Sequence, residues 1–190
     1  MKKKYYHFME NVKNIIEVKN IKKLVLVFIG TALLTLSAKI QTPLSPVPAT
    51  MQTFAVLFLG ILLGPKLAFL TVLLYLFEGL LGLPVFAKGG GYIYFTGPTS
   101  GYLFGFLLAA YFAGKTKLTD DPILTFIQLT FSVSTIYLLG LFWLWCFKGF
   151  GTSFYQIYLI GMKPFILVEI YKLLILTVIS KKMIYFRKFI

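Results

Sequence analysis

The stretch PVFAKGGGYIYFTGPTSG, Pro84 to Gly101, separates two long apolar segments. Gly89, Gly90 and Gly91 run directly into Tyr92, Tyr94 and Phe95. Glycine leaves the backbone bare and conformationally free, so the stretch sets open amides beside flat aromatic faces. Such a segment cannot lie against lipid, where each unpaired N–H or C=O costs several kcal/mol. It therefore caps a cavity or faces water, and the pairing of amides with aromatics suits a small ligand with a polar core.

The flanking segments place that cap in a membrane protein. The 190 residues are 58% hydrophobic with a mean hydropathy of +0.85, which leaves too little polar surface for a soluble globule. Nineteen Lys and Arg against six Asp and Glu give a net charge of +13. These charges sit mostly in short connections between apolar segments rather than on one face, so they read as topology signals and argue against a nucleic-acid partner. Cys146, the single cysteine, allows no internal disulfide and lies in an apolar run, where it acts as a small hydrophobe.

Upstream of the cap, an apolar segment from about Leu67 to Leu83 forms a third helix holding one carboxylate, Glu78. Pro65 separates it from a second helix that Thr50 caps and that runs to Gly64. Leu24 to Ile40 is the first span, about the minimum length for a bilayer core of roughly 30 Å, and Pro43, Pro46 and Pro48 end it. Residues 1–23 hold seven lysines and an apolar stripe, which suits an uncleaved interfacial arm on an anionic leaflet. His7, the only histidine, belongs to that solvated arm. Downstream, Gly97, Gly101, Gly105, Ala109 and Ala113 recur every fourth residue and form a smooth stripe for close helix packing on a fourth helix. Gly114 to Pro122 is an aqueous loop. A fifth helix covers Ile123 to Phe147 with Trp143 and Trp145 as interfacial aromatics. Pro164 opens the main part of a sixth, to about Ser180, with Tyr155 to Lys163 leading in.

The expectation is an all-α integral membrane protein, a compact bundle of six transmembrane helices over residues 24–180, with an N-terminal arm at 1–23, a substrate loop at 84–101 and a basic tail at 181–190. With the N-terminus cytoplasmic, that side holds seven basic residues in the arm, one at Lys66, two at Lys115 and Lys117 and four in the tail, fourteen against three at Lys39, Lys88 and Lys148. The bias predicts both termini in the cytoplasm and the glycine loop outside.

No enzymatic constellation is present. The sequence has no nucleophile with a base, no Cys/His/acid metal cluster and no P-loop, since GILLGPK lacks the required spacing, so any ATP would be hydrolysed by another chain. No cofactor is expected. The intramembrane ions are informative, because charge in the bilayer is costly and usually faces a cavity or a partner. Glu169 and Lys172, three residues apart, share a helix face. They form either a structural ion pair or a ligand site in which Lys172 receives a carboxylate and Glu169 accepts N–H donors. Glu78 is either a third polar wall or a helix-packing partner. Phe86, Tyr92 and Tyr94 are either interfacial anchors or, through their attachment to the glycines, lining of the site, and the attachment favours the lining.

PVPATMQT (Pro46 to Thr53), GLPVFAKGGG (Gly82 to Gly91), TGPTSGYLFGF (Thr96 to Phe106) and PFILVEIYK (Pro164 to Lys172) occur in an order that resembles BioY, the biotin-specific substrate-binding component of energy-coupling factor (ECF) vitamin transporters. The resemblance covers nearly the whole chain. It implies a compact six-helix fold of the S-component type in the plasma membrane, with biotin beneath the loop between helices three and four. It also implies a site drawing on Gly89, Gly90, Gly91, Glu169 and Lys172, and partners consisting of a transmembrane coupling protein and two cytoplasmic ATPases. Glu169 stands where the family pattern has Asp. The small-residue docking face of helix one is represented by Thr31 and Thr35, since Ala32 and Ala38 have the wrong spacing. A solitary or proton-coupled carrier for biotin or another carboxylated ring compound is the alternative, and a purely structural membrane protein is a further one.

Overall fold

A computed structural model describes residues 2–42, 47–117, 121–187 and 190, with the backbone alone for residues 2–19. The chain is mostly helical. Its elements are α1 (Lys2–Lys39), a two-residue strand β1 (Gln41–Thr42) paired antiparallel with β2 (Ala49–Thr50), α2 (Gln52–Leu63), α3 (Pro65–Leu80), α4 (Tyr92–Phe95), α5 (Ser100–Gly114), α6 (Pro122–Lys148), α7 (Phe154–Gly161), a 3-10 turn (Lys163–Phe165) and α8 (Ile166–Arg187).

Local chemistry sets most of these boundaries. Gly64 takes φ +80°, a conformation that L side chains resist, and Pro65 follows at the first position of α3, where its missing N–H costs nothing. Asp121 caps α6 by accepting from the N–H groups of Ile123 at 2.8 Å and Leu124 at 3.3 Å. Thr50 accepts from the N–H of Gln52 at 3.2 Å, although Met51 holds the N-cap position of α2. Pro164 lies in the 3-10 turn, so the lead-in is a separate helix, α7, and α8 begins after the break and runs on through the basic tail to Arg187. The basic arm and first span likewise form one continuous α1. Pro43, Pro46 and His7 lie outside the described residues or side chains.

The small-residue stripe packs as its spacing demands, but on two partners. A Cβ at Gly105 would stand 2.6 Å from Ile136 Cα, and one at Gly101 would collide with the Leu139 carbonyl, so both glycines press α5 onto α6. Ala113 instead meets α2, where a Cβ on Gly60 would lie 2.7 Å from the Ala113 methyl. Gly97 precedes α5, and its carbonyl accepts from the Trp143 indole at 2.9 Å.

Among the described residues two helices are long and apolar enough to cross a membrane, Asn20–Lys39 within α1 and α6. α2 and α5 are apolar but only 12 and 15 residues long, about 18 and 22 Å at 1.5 Å per residue. Most of their residues are buried, so neighbouring helices rather than lipid surround them, and irregular backbone at their ends is tolerated. Thr31 is 4% exposed and turned inward, which removes the Thr31–Thr35 pair as an outward docking face on α1.

Candidate ligand-binding site

A pocket opens at the end of the bundle where α1 and α3 finish and α5 and α8 begin. Its free space, mouth included, is about 540 Å³, and its walls come from the β1–β2 connection, the start of α2, the loop after α3, and α5, α6 and α8. Tyr94, Tyr102, Phe106, Tyr137 and Phe165 supply aromatic faces, with Leu103 and Ile136 between them. Tyr102 and Tyr137 meet edge to face with centroids 6.1 Å apart, and Tyr137 stacks on Phe165 at 6.4 Å. The walls are thus apolar and flat, with a few polar groups among them.

The polar centre is a buried set of three side chains. Glu169 and Lys172 are 7% and 5% exposed and pair at 2.7 Å. Lys172 Nζ also donates to the Thr50 carbonyl at 2.7 Å and to Thr53 Oγ1 at 2.8 Å, so all three of its protons are engaged. Thr53 Oγ1 in turn donates to Glu169 Oε1 at 2.8 Å. Glu169 Oε2 is buried on a residue that lines the pocket and has no hydrogen bond within 3.5 Å, although the Tyr137 hydroxyl stands close enough to interact with the same carboxylate. A buried carboxylate oxygen with no donor is costly, and a ligand N–H would satisfy it.

The loop that closes the site is strapped down rather than free. The carbonyls of four consecutive residues each accept from a side chain: Pro84 and Phe86 from Lys39 Nζ at 2.8 and 2.7 Å, Val85 from the Tyr75 hydroxyl at 2.9 Å, and Ala87 from Gln41 Nε2 at 3.0 Å. In extended chain successive carbonyls point to opposite sides, which lets one ammonium hold residues 84 and 86 while Tyr75 reaches 85 from the other side. Tyr75 also receives Gln52 Nε2 at 2.7 Å, linking the loop to the pocket wall.

The sequence-derived residues therefore divide. Glu169 lines the pocket and Lys172 stands behind it. Phe86 is fully buried beneath the loop, edge-on to Tyr75 at 5.3 Å and 4.7 Å from the Tyr94 ring. Gly89 and Gly91 take φ +130° and +96°, and their N–H groups bond Phe86 and Gly79 carbonyls. A Cβ on Gly90 would collide with the Leu83 carbonyl, so the three glycines shape the loop and stand outside the pocket lining. Tyr92 is 72% exposed, and Glu78 is half-buried on α3, away from the lining. Tyr94 does line it, and burial pushes its phenol above the ordinary tyrosine range, so it stays protonated at neutral pH. Thr53, Tyr102, Tyr137 and Phe165 escaped singling out. The two tyrosines and the threonine, polar groups within apolar helices, were the available signal.

Fold and site together define a helical bundle with a pocket at one end and, among the described residues, two helices long and apolar enough to cross a membrane. Residues 7–188 match the family model described as the BioY family. A probable biotin transporter BioY of Pyrococcus horikoshii is 36% identical over 163 residues, covering 85% of this chain and 96% of that protein. A biotin transporter BioY of Thermotoga maritima is 34% identical over 165 residues, covering 85% and 95%. The crystal structure of the S-component for biotin from an ECF-type ABC transporter superposes with a TM-score of 0.76 over 87% of this chain and 92% of that one, at 24% identity, a likeness of fold. The chain belongs to the BioY family.

Proposed function

We propose that this chain takes biotin into the cell, as a membrane transport subunit and not an enzyme, and holds it in the pocket over Glu169. One observation carries the reading: Glu169 Oε2 is a buried acceptor with no hydrogen bond within 3.5 Å, at the wall of an aromatic-lined pocket. Biotin's ureido ring offers two N–H donors on a compact apolar bicycle. One N–H satisfies Oε2 while the bicycle lies among Tyr102, Tyr137 and Phe165. Lys172, its three protons engaged, holds the Glu169 carboxylate in position.

The six longer helices then make six passes, with the shorter ones completed by shielded turns. The pocket faces outward, since Lys66, Lys115, Lys117 and Arg187 gather at the opposite end, where Arg187 bonds the Gly114 carbonyl at 2.8 Å. Both termini are cytoplasmic in this arrangement. A transmembrane coupling protein and two cytoplasmic ATPases energise transport, consistent with a sequence that holds no P-loop.

Thermal unfolding of the purified chain with and without biotin tests the proposal. Biotin at about a hundred times its dissociation constant adds about 2.7 kcal/mol of stability. Glu169→Gln should abolish most of that shift. A wild-type melting temperature unmoved by millimolar biotin would reject the reading.

A further inference from the structure

Lys39 entered the sequence reading only as a charge on the outer side, yet in the structure it does something more specific. Its ammonium grips two carbonyls of the loop over the pocket, Pro84 and Phe86, from the last residue of α1. Two residues on, Gln41 grips Ala87, which is part of the pocket wall. Gln41 is paired with Thr50 across β1–β2, and the Thr50 carbonyl accepts from Lys172. Hydrogen bonds and the β1–β2 pairing thus link the end of α1, the loop and the ion pair at the bottom of the site. Besides these, Tyr75 holds the Val85 carbonyl and the Gly91 N–H bonds the Gly79 carbonyl at the far end of the loop. Gly89 and Gly91 have positive φ and Tyr92 and Ile93 are exposed, while Val85, Phe86 and Ala87 are buried.

We infer that Lys39, with Gln41, is the latch of the lid: a positioning residue that sets how long a ligand stays in the pocket. This rests on the reading of the pocket as the ligand site. The mechanism is one of residence rather than contact. Lys39 lies outside the pocket lining, so the ligand gains nothing from it directly. Releasing the carbonyls of residues 84 and 86 lets the 84–91 segment swing on Gly82 and Gly91, both at positive φ, and moves Ala87 off the mouth. An ammonium chelating two carbonyls is a charge-assisted arrangement that a neutral side chain of equal length cannot reproduce. Arginine can, because its fork reaches two acceptors.

The test uses the full chain, purified, as wild type, Lys39→Met, Lys39→Arg and Gln41→Leu. Two quantities are read: the dissociation rate of labelled biotin, and amide hydrogen exchange without ligand. Lys39→Met should release biotin about ten-fold faster. Exchange at Phe86 and Gly91 should quicken, while α5 and α6 amides and the ligand-free melting temperature stay near wild type. Lys39→Arg should recover most of the slow release, and Gln41→Leu should fall between. A Lys39→Met dissociation rate equal to wild type overturns the latch, as does faster exchange spread evenly over the bundle, which would mark a general stabilising contact. Wild type failing to bind biotin would sink the biotin reading separately. The exchange arm then decides the latch alone, and unchanged exchange at Phe86 and Gly91 in Lys39→Met overturns it.

Discussion

Thr53→Val isolates the contribution of the buried triad, because valine keeps the shape of threonine and deletes only the hydroxyl. In the wild type that hydroxyl accepts from Lys172 Nζ and donates to Glu169 Oε1, each at 2.8 Å. Valine leaves Lys172 with two of its three acceptors and Glu169 Oε1 with one of its two donors. A hydrogen bond to a charged group contributes about 1.5–3 kcal/mol, and two bonds sharing one hydroxyl are not additive, so the loss should be about 2–3 kcal/mol. The part of this expressed in binding is the aim of Oε2: without Thr53 the carboxylate can rotate toward Lys172. At 1.4 kcal/mol per decade, biotin affinity should fall about 10- to 30-fold. Thr53→Ser keeps the hydroxyl and should stay within about three-fold of wild type. Isothermal titration in detergent gives both constants. Wild-type affinity in Thr53→Val, or equal losses in the valine and serine variants, would refute the claim that the hydroxyl positions Glu169.

Lys172→Met leaves a 7%-exposed carboxylate without its cation and should cost about 3–5 kcal/mol in unfolding. Adding Glu169→Leu should restore much of that stability without restoring biotin binding, read by thermal unfolding and titration of both variants. Gly105→Ala puts a Cβ 2.6 Å from Ile136 Cα and should force α5 from α6 at a cost of about 1–3 kcal/mol, checked by detergent unfolding. Arg187→Ala removes donors to the Gly114 carbonyl at 2.8 Å and the Thr116 carbonyl at 3.5 Å. It should cost about 1–2 kcal/mol, with biotin affinity unchanged because the pocket is at the other end.

Features with a short physical range were legible in the sequence. Gly64 and Pro65 as a helix junction, Asp121 before Pro122 near the start of the fifth helix, and Gly101 and Gly105 as a close-packing face all follow from backbone conformation or helical period. The residue before Pro98 was readable too: proline disfavours helix in its predecessor, so Gly97 could not join the stripe. The pocket was harder. Thr53 and Glu169 are 116 residues apart, Lys39 and Pro84 45 apart, and periodicity names a face without naming its partner. Tyr75 sits in an apolar helix with nothing local to show that its hydroxyl holds Val85. The glycines posed a different problem. A triple glycine announces that the backbone needs freedom, but amides offered to a ligand and amides folded back onto Gly79 and Phe86 look identical as letters.

On the proposed reading, the two oxygens of Glu169 let one acid serve both as the structural ion pair and as the ligand group, which the sequence left as alternatives. Oε1 takes Lys172 and Thr53 and holds α8 against the start of α2, a neutral, saturated contact that the bilayer tolerates. Oε2 takes neither and lies buried at the pocket wall, with Tyr137 beside the carboxylate. A carboxylate oxygen left bare there raises the free energy of the ligand-free protein. That cost is relieved only by a group that brings a donor and fits flat between tyrosines. A ligand carboxylate would have to turn a lone pair toward the same oxygen, which repels it. On the proposed reading the pocket selects by donor placement as well as by shape, because the cation nearest the carboxylate is fully engaged by Thr50, Thr53 and Oε1.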